Sequence, residues 1–272
     1  MKNIKNTFLF IVPVLLVISL AGCDYWKTLT RGGEGAFIIE GTKTISGQTI
    51  EFKPGTTVKL KTKKTSTIGG VVPTYGELVL TNGARLIARG TPTNPIIFET
   101  SESYPGGIIF NSDSDGANSV IEYCEFKTNI SISCNNSISI QYCKFGRNLI
   151  GSVINQDSGN LTVKNCTFGG ANTSVIYCGG QGTSALSTLI EYCDIKNGYY
   201  GITSFGSLSI KNSNITNCTK YAIGSLASAI AESNYVANCN GKQGVDTTGE
   251  QSDGILYTNP QTSPITNAGC GW

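Results

Sequence analysis

Between residues 120 and 240, one short arrangement of apolar and polar positions returns six times. In its clearest copy, Leu161 and Val163 stand two positions apart, and Cys166 and Phe168 form a second apolar pair that is offset by one. Residues two apart share one face of a strand, so both pairs can point inward only if the chain turns a corner between them. The arrangement therefore predicts two strands around a bend. The predicted bends lie at Tyr123, Tyr142, Asn165, Tyr192 and Asn212.

The inward position that Cys166 holds recurs with a period near twenty. It is occupied by Cys124, Cys143, Cys166, Cys193, Ser213 and Ser233, at steps of 19, 23, 27, 20 and 20 residues. A third strand is predicted after an asparagine-rich corner, at Asn129, Asn148, Asn197, Asn217 and Asn238. A repeat of this length, with β-branched residues, many glycines and no helical run, is typical of a stacked β-solenoid. Each strand then pairs with its equivalent one coil away, at about 4.8 Å.

One position of the repeat, directly after the first inward residue, varies freely in charge and polarity. It is occupied by Glu122, Gln141, Lys164, Glu191, Lys211 and Ala231, the last of these following Ile230. Such variety is expected of side chains that face solvent.

These residues resemble the right-handed parallel β-helix, the pectate lyase-like fold, most clearly over residues 161–168 and 208–217. The resemblance implies an all-β protein, a right-handed single-stranded parallel β-helix of about eight or nine coils with roughly 20 to 27 residues each. This fold is shared by lyases, hydrolases, adhesins and structural domains, so it does not by itself specify an activity.

The first 22 residues have the features of a secretory signal peptide. Lys2 and Lys5 precede an uncharged apolar run over residues 7–20, which is too short for the roughly 20 apolar residues of a membrane span. The following tetrapeptide, ending at Cys23, resembles the bacterial lipobox, which predicts Cys23 as the lipidation site. The expected location is the bacterial cell envelope, on the outer membrane or on a periplasmic or cell-surface face.

The predicted domain order follows from these boundaries. Residues 1–22 are the signal peptide, 23–36 the lipidated cysteine and a flexible tether, and 37–110 an N-terminal cap with the first coils. Residues 111–250 are the regular repeats and 251–272 a C-terminal cap or tail. Within the first coils, Lys59, Lys61, Lys63 and Lys64 are predicted either to protect an exposed edge or to attract an anionic membrane surface.

The charge balance argues against nucleic acid as a partner. Removing residues 1–22 takes away two lysines and no acidic residue, which leaves 18 basic and 18 acidic residues. Nucleic-acid binding needs an excess of basic residues on one face. The expected partners are the membrane, through the lipid anchor, and glycans or other envelope or host proteins, whereas the oligomeric state stays open.

The ten cysteines do not predict a disulfide scaffold. Those of the repeat are expected to be free thiols, because vertical neighbours with parallel side chains disfavour disulfide torsions. Cys134 and Cys178 fall on third strands, and Cys218 and Cys239 beside the asparagine corner. Cys270 has no place in the repeat and is therefore the candidate for a disulfide, with Cys239 suggested as its partner.

Candidate metal chemistry is confined to one loop. Asn111, Asp113, Asp115 and Gly116, with Glu122 six residues later, nearly fit the calcium loop of an EF-hand. The first position is asparagine, however, and Glu122 belongs to a predicted strand. Asp113 and Asp115 are thus the candidate metal ligands, and calcium is the one cofactor that the sequence suggests.

No catalytic residue is predicted. The sequence contains no histidine, which excludes histidine-based triads, ligands and general bases. Polygalacturonase-like members of the fold carry an Asn-x-Asp, an Asp-Asp, a Gly-His-Gly and an Arg-x-Lys, of which only the first occurs, at residues 111–113 and 155–157. The lyase pattern Arg-x-Pro-x-x-Arg is absent.

Two functional hypotheses follow. The first is a non-catalytic binding or structural, adhesin-like envelope lipoprotein, and the alternative is a polysaccharide lyase-like enzyme with an atypical site. Tyrosines suited to stacking on sugars are Tyr199, Tyr200, Tyr221, Tyr235 and Tyr257. Tyr123, Tyr142 and Tyr192 are instead expected to stack on one another at their corner.

Overall fold

Parallel strands, stacked as a β-solenoid of about eight turns, form nearly all of the secondary structure, with almost no helix. The computed structural model describes residues 36–67, 70–100, 105–179, 186–225, 229–239 and 255–272. The predicted all-β parallel solenoid is confirmed. The predicted signal peptide and lipidated Cys23 lie outside the described residues. Within the described ranges, no helix is long and apolar enough to cross a bilayer.

Three parallel sheets form the sides of the solenoid. Sheet A contains β1 (Ala36–Glu40), β4 (Thr57–Lys61), β9 (Ile96–Thr100), β12 (Cys124–Phe126), β15 (Lys144–Phe145), β18 (Thr167–Phe168), β21 (Asp194–Lys196), β24 (Asn214–Thr216) and β27 (Tyr235–Ala237). Sheet B contains β2 (Thr42–Ser46), β7 (Glu77–Thr81), β10 (Gly106–Phe110), β13 (Ile130–Cys134), β16 (Ile154–Gln156), β19 (Ala171–Cys178), β22 (Gly198–Ser204) and β25 (Ile223–Ser225). Sheet C contains β3 (Thr49–Phe52), β8 (Arg85–Arg89), β11 (Val120–Glu122), β14 (Ile138–Gln141), β17 (Asn160–Lys164), β20 (Ser187–Glu191), β23 (Ser207–Lys211), β26 (Ala229–Glu232) and β28 (Ile255–Thr258). An antiparallel hairpin of β5 (Lys63–Thr67) and β6 (Gly70–Thr74) projects from the second coil, and a 3-10 turn spans Gly116–Asn118.

The corners use residues in the left-handed region of backbone space. Between sheets C and A, φ is positive at Tyr123, Tyr142, Asn165, Tyr192, Asn212 and Ser233, with values from 48° to 54°. Between sheets A and B, it is positive at Asn129, Asn197, Asn217 and Asn238. Asparagine adopts this conformation more readily than other non-glycine residues, which explains the asparagine-rich corner. Asn148 differs, because its Oδ1 instead accepts hydrogen bonds from the backbone N–H groups of Ile150 and Gly151 at 3.0 and 3.3 Å.

The interior is built from ladders of identical side chains. Phe98, Phe126, Phe145 and Phe168 stack with near-parallel rings, their centroids 4.8, 4.6 and 4.7 Å apart in order. This spacing matches the distance between paired strands. The stack is confirmed as inward-facing by burial, since the most exposed of the four rings is only 3% accessible.

The last repeat is one residue out of the predicted register. Ala229 and Ala231 are the buried positions and Ile230 is 46% exposed. Ser233 is the corner residue, so Asn234 rather than Ser233 continues the ladder of small side chains. The prediction was wrong because it placed the most hydrophobic residue inside, whereas register with β23 pairs Ile210 with Ala231.

Cys270 is a buried free thiol, and all nine described cysteines are free. The predicted disulfide between Cys270 and Cys239 is therefore wrong. After β28 the chain turns back across the corners between sheets C and A. Cys270 meets Thr167, whose Oγ1 accepts from the backbone N–H of Cys270 at 3.1 Å. Two residues later, the indole Nε1 of Trp272 donates to the carbonyl of Tyr142 at 2.8 Å. The returning segment therefore places Cys270 several coils away from Cys239.

The four lysines of the first coils lie on two strands, of which β4 is paired on both sides and β5, in the two-stranded hairpin, has an unpaired edge. Lys59 and Lys61 lie on β4, which is paired on both sides, by β1 and β9. Lys59 is in an ion pair with Glu99, with Nζ and Oε1 3.2 Å apart. Lys63 and Lys64 belong to the exposed hairpin strand β5.

Candidate functional site

A groove of about 490 Å³ lies along the outer face of sheet B, across β13, β16, β19 and β22. Its size falls within the range of roughly 300 to 1,000 Å³ that is typical of small-ligand sites. The lining residues come from consecutive coils: Pro105, Ser131, Asn148, Ile150, Gly151, Ser152, Asn155, Thr173, Ser174, Tyr177, Tyr200 and Thr203.

The floor of the groove is polar and uncharged because of strand alternation. Ser131, Asn155 and Thr203 point outward, next to isoleucines that are fully buried on the other face. The floor is also held in place, since the hydroxyls of Ser174 and Thr203 lie 2.7 Å apart. Hydroxyl and amide groups of this kind both donate and accept hydrogen bonds.

The first wall is aromatic: Tyr177 lines the groove, and its ring contacts that of Phe205 beside it. Their ring centroids are 5.8 Å apart and their planes are tilted by 60°. The Tyr177 ring lies directly over Gly179, where a Cβ atom would stand only 2.3 Å from the ring carbon Cε1. Glycine at position 179 therefore leaves the space that the Tyr177 ring occupies. Phe205 is 43% exposed, so its ring is accessible to a ligand.

The second wall is formed around Tyr200. Its ring is edge-on to Tyr199, at a centroid distance of 4.9 Å, and tilted against Tyr221 at 5.6 Å. The ammonium of Lys220 lies 5.7 Å from the ring centroids of both Tyr199 and Tyr221. Tyr199 first, followed by Tyr200 and Tyr221, raises the pKa of Lys220, so this lysine stays charged beside the tyrosine cluster.

An ordered loop between β15 and β16 borders the same side of the groove. Its two apolar residues, Leu149 and Ile150, are 46% and 53% exposed. The loop backbone is fixed by asparagine side chains, with the Leu149 N–H donating to Asn129 Oδ1 at 2.9 Å. Ile150, which lines the groove, thus adds an apolar surface on a turn that hydrogen bonds hold in place.

The groove combines apolar surfaces with neutral hydrogen-bonding groups. None of the described residues that line it is a carboxylate, a lysine or an arginine. Glycoside hydrolysis typically uses a pair of carboxylic acids, which the described lining of the groove does not contain. The arrangement is suited to holding a molecule that has both an apolar face and many hydroxyl groups.

The predicted metal ligands Asp113 and Asp115 are each engaged locally. Both carboxylate oxygens of Asp113 accept from Thr81 Oγ1 at 2.9 Å. Oδ1 of Asp115 accepts from the Asn118 side chain at 2.8 Å. Glu122 instead pairs with Arg89, at 2.9 Å. Over the described part of the chain, no three His, Cys, Asp or Glu side chains are grouped so that they could hold a metal ion.

The structure brings together only part of the predicted tyrosine strip. Tyr199, Tyr200 and Tyr221 are neighbours, whereas Tyr235 lies on sheet A and Tyr257 on sheet C. Tyr177 and Phe205 were not predicted. The signal for Tyr177 was its outward parity between two buried residues, Ile176 and Cys178, but an irregularity in strand pairing between residues 171 and 174 obscures that alternation.

Tyr123 and Tyr142 stack as predicted, with centroids 4.9 Å apart and planes 5° from parallel. Asn165 occupies the same corner in the coil between Tyr142 and Tyr192. Tyr192 is therefore not the next ring in that stack.

Comparison with known proteins gave no match among protein-family models, curated proteins or solved structures.

Proposed function

We propose that this protein is an exported, lipid-anchored β-helix of the pectate lyase-like kind that binds glycans, without cleaving them, through the groove on sheet B. The observation on which the proposal rests is the pair of aromatic walls, Tyr177 with Phe205 and Tyr200 with its neighbours, around an uncharged hydroxyl and amide floor.

A sugar ring has both an apolar face and hydroxyl groups, and the groove offers a partner for each. Its C–H face can stack on an aromatic ring, and its hydroxyls can hydrogen-bond to side chains such as Asn155 and Thr203. The neutral lining favours uncharged sugars within the groove, and Lys220, beside the tyrosine cluster, can accommodate one anionic group. Because the lining residues come from successive coils, the groove extends along the solenoid and suits a chain of sugars rather than a single one.

The solenoid also extends the binding face along one axis. About eight coils, each rising roughly 4.8 Å, form a rod about 40 Å long. A rigid rod of this kind is suited to presenting a binding face away from a membrane surface.

We expect Tyr177→Ala to weaken glycan binding about tenfold. Burying an aromatic side chain contributes roughly 1.5 to 3 kcal/mol, and 1.4 kcal/mol corresponds to a factor of ten in affinity. The measurement is isothermal titration calorimetry with the tightest oligosaccharide found on an array of neutral and acidic glycans. Tyr177→Phe keeps the ring and is expected to bind nearly as well.

Two glycine substitutions distinguish an effect of displacing the Tyr177 ring from a general effect of adding a methyl group to sheet B. Gly179→Ala displaces the Tyr177 ring and should weaken binding, whereas Gly224→Ala adds a Cβ into open space on the same sheet and should not. Equal affinity of the parent, Tyr177→Ala and Gly179→Ala for the array hit would show that the glycan binds elsewhere.

The predicted anchor is tested at Cys23. Replacing Cys23 with serine removes the thiol that lipobox processing acylates, so incorporation of a fatty-acid probe should fall to background in cells. Cys270→Ser serves as the matched control and should label like the parent. Undiminished labelling of the Cys23 variant would exclude this residue as the lipidation site.

A further inference from the structure

Cys218 and Cys239 occupy equivalent places in neighbouring coils. Cys218 lies two residues after the end of β24 and Cys239 two residues after the end of β27, and the strand ends Thr216 and Ala237 are register partners. Each cysteine directly follows an asparagine with positive φ. Adjacent coils are about 4.8 Å apart, within the range of roughly 4.4 to 6.8 Å between Cα atoms that a disulfide spans. Because both residues lie beyond the ends of the paired strands, strand pairing does not impose on them the parallel side-chain directions expected of the ladder cysteines.

The two thiols influence each other's ionisation and differ in access to solvent. Cys218 is 2% exposed, packed so closely over Gly201 that a Cβ there would lie 3.2 Å from its sulfur. Cys239 is partly exposed. A hydrogen bond from the Cys218 thiol to the Cys239 sulfur lowers the pKa of Cys239 to about 7. The same hydrogen bond, together with burial, raises the pKa of Cys218.

This pair contrasts with the cysteine ladder of the interior. Cys143, Cys166 and Cys193 are also stacked, but each is 0% exposed. Burial raises the pKa of all three thiols well above the ordinary value. A buried neutral thiol is inert toward reagents in water, because the thiolate is the nucleophile.

We infer that Cys239 is an accessible nucleophilic thiol and that Cys218 is its resolving partner, so that the two form an intercoil disulfide by exchange with a low-molecular-weight disulfide. In the first step the Cys239 thiolate attacks one sulfur of the reagent. The new sulfur–sulfur bond replaces that of the reagent, whose other half leaves as a thiolate and takes a proton from water.

In the second step Cys218 gives its proton to solvent, and its thiolate attacks the Cys239 sulfur. The bond between Cys239 and the reagent half breaks, and that half leaves as a second thiol. The two protein thiols are thereby oxidised to one disulfide and the reagent disulfide is reduced to two thiols. Once Cys239 is in the mixed disulfide it has no negative charge, which removes one cause that opposes ionisation of Cys218.

The test is exchange of the full chain with glutathione disulfide, followed by alkylation, trypsin digestion and mass spectrometry. Cleavage after Lys211, Lys220 and Lys242 places Cys218 in peptide 212–220 and Cys239 in peptide 221–242. The expected product is these two peptides joined, with the loss of two hydrogen atoms. Cys166 and Cys193 are expected to stay unmodified in the same sample.

Single variants assign the two roles. Cys218→Ala should accumulate glutathione on Cys239, because no resolving thiol remains, whereas Cys239→Ala should leave Cys218 unmodified. The pH midpoint for alkylation of Cys239 should move from about 7 toward the ordinary thiol value of about 8.5 in Cys218→Ala. A stable glutathione adduct on Cys239 of the parent, or no reaction of Cys239 in the folded protein, would overturn the inference.

Discussion

Cys166→Asp is expected to lower the free energy of unfolding by about 3 to 5 kcal/mol, because it would bury a charge without a partner. Cys166 is 0% exposed, and its sulfur donates to the carbonyl of Lys164 at 3.1 Å. The same sulfur accepts from the backbone N–H of Cys143 at 3.4 Å. Neither the Lys164 carbonyl nor the Cys143 N–H carries a positive charge that could pair with the aspartate carboxylate.

Two further substitutions at this position separate charge from volume. Cys166→Ala should cost about 1 kcal/mol or somewhat more, as a small group removed from a packed stack. Cys166→Ser should be better tolerated than the aspartate, since Ser213 already holds the equivalent place and accepts from the Cys193 N–H at 3.1 Å. Urea denaturation of the three variants provides the comparison. An aspartate variant as stable as the parent would mean that residue 166 does not face inward.

Phe126→Ala is expected to have an effect of similar size, about 3 to 5 kcal/mol, since it removes a ring from the middle of the phenylalanine stack. The ring lies 4.8 Å from Phe98 and 4.6 Å from Phe145, so its loss leaves a cavity with neighbours on both sides. Phe126→Leu should cost clearly less, because most of the volume is kept.

The matched control for this prediction is Phe205→Ala on the outer face of sheet B. Phe205 is 43% exposed, and its loss should change the unfolding free energy by about 0.5 kcal/mol or less. If Phe126→Ala and Phe205→Ala shift the urea midpoint equally, the stack does not stabilise the solenoid.

Much of the fold follows from local alternation. The parity break between Val163 and Cys166 predicted the bend at Asn165, which has a φ of 51°. A bend of this kind leaves a pattern in the sequence because strand period two forces every side chain to choose a face. The solenoid, its corners and its inward ladders could therefore be predicted without a structure.

The last repeat shows the limit of this reasoning. Hydrophobicity favoured Ile230 as an inward residue, but stacking on the preceding coil places Ala229 and Ala231 inside. Asn234 is 1% exposed and is accepted because its amide donates to the Ile210 carbonyl and accepts from the Ser213 N–H. Such satisfaction of a buried polar side chain depends on neighbours in another coil, which local sequence does not reveal.

The candidate site was less predictable than the fold for the same reason. Tyr177 and Phe205 are separated by 28 residues and meet only because β19 and β22 are neighbours in sheet B. The position of Cys270 depends on the course of the returning C-terminal segment, which has no repeat to indicate it. When neighbouring coils differ in length, predicting which residues meet requires knowledge of the strand register.

Whether the protein binds a glycan without cleaving it is measured on the bound glycan itself. The oligosaccharide with the highest affinity on the array is incubated with the protein, with and without calcium, and its chain length is followed by mass spectrometry. We predict a saturable complex that depends on Tyr177 and a glycan recovered at its original length. Shortened products, or an unsaturated sugar end that disappears with Asp113→Ala and Asp115→Ala, would contradict the claim and favour the lyase-like alternative.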